Sequence, residues 1–151
     1  MAGPAAEVHI SPKLAIRPKA WDLTTPNSAV QSYLDWTSFS FRTAQSSYST
    51  ATMSPNEGVR VDAYIQFNLE KKQIIDQTLT SITFGTPKVE TSSTLVPTKE
   101  QWRYSYLSIE PGNKVIGGPY TASYDATYTV VKSKSGWVVD SVNAKPHGTV
   151  K

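Results

Sequence analysis

There is no cysteine in this chain of 151 residues, which excludes disulfides, thiolate metal ligands and a cysteine nucleophile. Histidine is nearly as scarce: His9 and His147 are the two copies, and both fall outside the stretch that reads as a folded body. A histidine-dependent dehydratase or a triad hydrolase is disfavoured on that ground, because its base must sit within hydrogen-bond reach of the reacting atom. HxH, HExxH and acidic calcium-loop patterns are missing, so neither a metal nor a cofactor is expected. No apolar run reaches the roughly 20 residues that span a bilayer, and "MAGPAAEVHISPKLAIRPKA" has no signal-peptide core. Charged residues make up only 18% and the net charge is +3, spread so that Lys13, Arg17 and Lys19 form its densest cluster. Nucleic-acid binding needs more cations on one face than that. "PGNKVIGGP" has glycines without phosphate-loop spacing and reads as a turn with an irregular lead-in to the next strand.

What is present is aromatic and hydroxylated: 8 tyrosines, 4 tryptophans and 4 phenylalanines against a background rich in serine and threonine. That supplies enough large apolar area for one ordered core and one domain. Residues 1–21, with prolines at 12 and 18, read as an extended arm or linker, 22–145 as a single domain and 146–151 as a tail. An arm of this kind fits a secreted or anchored ectodomain whose signal has been removed, or a cytoplasmic protein if the start is native.

Two helices are announced by their caps. Thr25 precedes Pro26, and Val30, Tyr33, Leu34, Thr37, Phe41 and Ala44 follow helical spacing to about Tyr48, with Trp36 beside the stripe. Ser54 and Glu57 have capping-box spacing around Pro55, followed by Val61, Tyr64, Ile65 and Leu69 with Phe67 alongside. The Lys71–Lys72 pair suits the helix end. Five strands are then expected: "IIDQTLTSITF", "KVETSSTLVP", "QWRYSYLSIE", "YTASYDATYTVV" and "GWVVDSVNA", the last joined by a hairpin through "KSKSG" with Gly136 at positive φ. Helices first and strands afterwards predict an α+β domain, with helices covering one face of a mostly antiparallel sheet.

"TTPNSAVQSYLDW", a second helix, and strands ending in "YTVVKSKSGWVVDSV" resemble the nuclear-transport-factor-2-like superfamily, which includes ketosteroid isomerase, over roughly Asp22 to Ala144. The resemblance implies a strongly curved sheet wrapped into a cone, and an outer sheet face that often forms a homodimer or partner interface. It does not imply one reaction, since the fold carries isomerases, cyclases and binding modules alike.

In a strand, residues two apart share a face. Tyr120, Tyr124 and Tyr128 therefore stand on one side with Ala122 and Ala126 between them, and Asp125 points away. Trp102, Tyr104 and Tyr106 form a matching set. With Tyr33, Trp36, Tyr64 and Phe67 from the helices, residues Trp102, Tyr104, Tyr124 and Tyr128 are the expected lining of an apolar pocket, unless the rings simply fill the core. No catalytic residue is assigned: an isomerase needs a carboxylate inside the cavity, and Asp35, Asp62, Asp76 and Asp125 all default to exposure. The expected role is a non-catalytic accessory or binding module for a small apolar ligand or a protein partner, dimeric through the sheet face. The alternatives are a small-molecule isomerase or cyclase, and a structural cell-surface domain.

Overall fold

A computed structural model describes residues 7–146; the expected tail, His147 included, lies outside the described residues except for Pro146. Helix α1 spans Pro26–Thr43 and helix α2 spans Pro55–Glu70, with two short 3-10 turns between them. The strands are β1 (Gln73–Phe84), β2 (Lys88–Val89), β3 (Thr94–Ser108), β4 (Val115–Ser133) and β5 (Gly136–Pro146). They form one antiparallel sheet in the order β1-β3-β4-β5, with β2 paired to the start of β3. This is the expected α+β layer arrangement, two helices against one face of a cone-like sheet.

The strand list differs in detail from the sequence reading. The expected second and third strands are one continuous strand, β3, while Lys88–Val89 folds back on Thr94 and Leu95 as a small hairpin. Pro97 closes the expected second strand, yet β3 runs through it although a proline cannot donate to a ladder. Its carbonyl accepts from Gly85 at 2.8 Å just where β1 gives out after the pair Phe84↔Thr98, so its missing N–H interrupts nothing. The supposed irregular lead-in is also strand: β4 begins at Val115. Register shifts put extra residues in β1 between Leu79 and Ser81, in β4 opposite Tyr104–Leu107, and in β5 opposite Thr129 and Val130; such bulges bend and coil these long strands round the helices.

Both helices start as their caps require. Thr25 and Ser28 close a reciprocal capping box on α1. The helix stops at Thr43, short of Tyr48, because Ala44 adopts a left-handed conformation at φ 57°. On α2, Ser54 caps the Glu57 amide, but the Glu57 side chain does not return to complete the box; it turns inward.

The sequence reading gave α1 a single buried stripe, whereas it is buried nearly all round. Val30, Tyr33 and Leu34 pack on the sheet with Val61, Ile65, Val96, Trp102, Tyr128, Val130 and Val139. On its back lies the N-terminal segment. There Leu23 packs with Ala29 and Val138, and the Trp36 indole donates to the Lys19 carbonyl at 3.0 Å. Farther upstream, Leu14 is buried with Ile74, Leu107 and Ile109. Asn113 accepts from the Ser11 amide at 2.7 Å and donates to the His9 carbonyl at 2.6 Å, so the arm from His9 to Leu14 is fastened to the β3–β4 turn. The final hairpin closes at Gly136, whose φ of 130° and 2.5 Å approach of a would-be Cβ to the Leu23 carbonyl oxygen leave room for nothing larger.

Candidate functional site

Strand parity fixes which side chains meet the helices. On β4, Tyr124, Ala126, Tyr128 and Val130 face inward, while Asp125 pairs in register with Lys99 on the outer face at 3.6 Å. On β3 the inward row is Val96, Thr98, Glu100 and Trp102, because the continuous strand puts Glu100 two residues from each neighbour. A carboxylate therefore lies inside the cone, only 5% exposed.

Glu100 is fully engaged. It accepts from the Thr98 hydroxyl at 2.6 Å, the Trp102 indole at 2.8 Å and the Tyr128 hydroxyl at 2.5 Å. The Trp102 indole meets one carboxylate oxygen, and the Tyr128 and Thr98 hydroxyls meet the other. Burial above all, and then the charge of Glu100 and the hydrogen bond to it, raise the Tyr128 phenol well beyond its usual range, so it stays a donor.

A second carboxylate is buried between the helices. Glu57 is 2% exposed and takes a hydrogen bond from Tyr33, while Arg60 holds it bidentately at 2.9 and 2.5 Å. Burial and Glu57 together raise the Tyr33 phenol strongly. The rings of Tyr33 and Tyr128 meet edge to face at 6.0 Å, so the two carboxylate networks flank one aromatic contact.

Around that contact is a cavity of about 240 Å³, lined among others by Tyr33, Tyr64, Trp102, Tyr124, Tyr128 and Glu100. Thr37 also lines it, and the Thr37 hydroxyl, though buried, has no hydrogen-bond partner among the described residues. Arg60 stands at the wall with its charge already matched by Glu57.

Tyr33, Tyr64, Trp102, Tyr124 and Tyr128, all expected as lining, are brought together here, and Trp36, Phe67 and Tyr104 are not. Trp36 belongs to the far side of α1, edge-on to Trp21 and Phe39. Phe67 is 51% exposed, stacked on Tyr64 under the Lys71 ammonium. Tyr104 packs with Tyr106 and Tyr120 in a separate group. Of the aspartates weighed, Asp35 is half-buried and accepts from Gln31, with burial raising its carboxyl above the usual range. Asp62 takes the Ser46 hydroxyl at the surface, and Asp76 lies near Arg42. None of them lines the cavity.

The inward carboxylates are glutamates: Glu100 falls between the expected second and third strands, and Glu57 is expected only as part of a cap. Counting back in twos from Trp102 would have found Glu100.

No family model matches this sequence, and no curated protein is significantly similar to it. Solved structures do match. The intermembrane space region of the chloroplast protein ARC6 superposes with a TM-score of 0.70 at 16% identity, over 86% of this chain and 100% of that one. A putative calcium/calmodulin-dependent kinase II association domain from Exiguobacterium sibiricum gives 0.51 at 13% identity, over 87% of this chain and 100% of that one. One from Xanthomonas campestris gives 0.50 at 10% identity, over 90% and 98%. At these identities the likeness is one of fold alone: two helices on one face of a cone-like antiparallel sheet.

Proposed function

We propose that the domain is a non-catalytic binding module whose cone cavity receives a small ligand. The observation that carries this reading is the state of Glu100, buried in the cavity wall yet committed to three donors of its own chain. An isomerase of the ketosteroid type would need that carboxylate to take a substrate proton, and a tyrosine hydroxyl to steady the developing oxyanion. Here Tyr128 spends its proton on Glu100. Base and oxyanion donor satisfy each other, which builds a rigid wall and leaves no free pair for proton transfer. The aromatic lining with a few fixed polar points is the usual make-up of a binding pocket, at the small end of the size range.

A homodimer, or a protein partner across the outer sheet face, belongs to the same proposal. Its support is the polar row on β4, where Thr127 and Thr129 lie beside Asp125. Native mass spectrometry of gently purified protein tests both parts through subunit number and retained small molecules. Saturation-transfer NMR with mixed small amines, alcohols and acids extends the test to protein that comes off the column empty. A monomer that neither retains nor binds any of them contradicts the reading.

A further inference from the structure

Resting on that reading, the charge balance of the cavity points to one ligand class. We propose that the pocket takes a small organic ammonium ion of choline size. One charged group besides Glu100 lines the space, Arg60, and Glu57, which is not part of the lining, neutralises it through a two-point ion pair. Glu100 has no such partner: its donors are a threonine hydroxyl, a tyrosine hydroxyl and an indole, all neutral, and no ion pair reaches it among the described residues. The wall therefore carries one net negative charge at a site that is 5% exposed. A buried anion without a counter-charge is costly in a low-dielectric interior, and a bound cation removes that cost.

The rest of the lining suits the same guest. Tyr33, Tyr64, Trp102, Tyr124 and Tyr128 surround the space with ring faces and edges, and a desolvated alkylammonium is attracted to such faces by their quadrupoles. An anion would meet both the rings and Glu100 unfavourably. A cavity of about 240 Å³ has room for a trimethylammonium head with a short tail.

The test compares choline with dimethylbutanol, in which a quaternary carbon replaces the nitrogen, by calorimetry on the intact protein. The expected result is choline binding at least about 10-fold tighter, a preference that disappears in Glu100→Gln and persists in Asp35→Asn, which removes a carboxylate outside the cavity. Equal affinity for the two, or tighter binding of the alcohol, overturns the cation assignment while leaving a working pocket. Binding of neither overturns it too, and the wider NMR panel then decides separately whether the cavity binds anything. If Glu100→Gln does not fold, the ratio measured on the wild-type protein is decisive by itself.

Discussion

The Tyr128 hydroxyl reaches from β4 to the Glu100 carboxylate on β3 at 2.5 Å, in a place where both residues are almost wholly buried. The bond ties two central strands together from inside the cone, and Trp102 and Thr98 lock the carboxylate from the other sides. Removing the acceptor orphans three buried donors at once, each costing about 1–3 kcal/mol. Glu100→Ala is accordingly expected to lose about 3 kcal/mol or more in a urea melt with unchanged slope, and Glu100→Gln less, since its amide oxygen still accepts. A wild-type melt for the alanine variant would show that Glu100 is not a hub.

Alkaline pH should expose the same bonds. The folded-state pKa values of Tyr33 and Tyr128 are raised above the ordinary phenol value of 10.0. A proton is then held more tightly in the folded chain than in the unfolded one. The stability this contributes is complete below pH 10 and declines as pH climbs above it, at up to about 1.4 kcal/mol per pH unit for each phenol. Melting followed from pH 8 to 11 is expected to be flat and then to fall, and Tyr128→Phe to make the fall shallower, with the raised phenols of Tyr33, Tyr106 and Tyr124 supplying what remains.

Between the helices, Tyr33 and Glu57 form a coupled pair. A double-mutant cycle of Tyr33→Phe and Glu57→Gln should return an interaction energy of about 1–2 kcal/mol, read from chemical denaturation. Arg60→Ala leaves the Glu57 carboxylate buried without its cation, and should cost about 2 kcal/mol, less than for a fully buried partner because the Arg60 side chain is 60% exposed. Additive single effects would mean the Tyr33 contact contributes nothing.

The N-terminal segment is expected to behave as part of the body. Leu14 is 5% exposed in a cluster with Ile74, Leu107 and Ile109. Leu14→Ala should therefore cost about 2–4 kcal/mol, lowering the melting temperature by several degrees. Asn113→Ala, which unfastens His9 and Ser11 together, should make the same segment the first to exchange its amide hydrogens. Unchanged melting and exchange would make the segment a linker.

How much of this could be read from the sequence depended on how local the signal was. Thr25–Pro26 and Ser54–Pro55 fixed both helix starts, and the period of two in "YTASYDATYTVV" put Tyr124 and Asp125 on opposite faces of β4. Trp36 was misplaced because periodicity assumes one buried face, and the arm's cover on the back of α1 is a long-range fact. The serines and threonines there, Ser32, Ser40 and Thr43, are buried through bonds to Asp22, Ser49 and Phe39, a pattern indistinguishable in sequence from a solvated face. Glu100 was lost for a different reason. The expected strands stop at Pro97 and resume at Gln101, and only the long-range pairing of Thr98–Glu100 with β1 and β4 shows that these residues carry the strand on. Glu57 shows the same limit: the box spacing is right, but Tyr33 and Arg60 offer its carboxylate more than the cap amide does.

The central claim is that the space beside Trp102 is a binding site, and the indole N–H signals of the tryptophans test it most directly. Trp102 donates its indole proton to Glu100 at the cavity wall, whereas Trp36 donates to Lys19 on the far side of α1. Titrating isotope-labelled protein with choline should shift the Trp102 indole cross-peak saturably and leave that of Trp36 in place. A Trp102 signal that stays fixed up to solubility-limited choline, or one that moves only together with Trp36, would contradict the account.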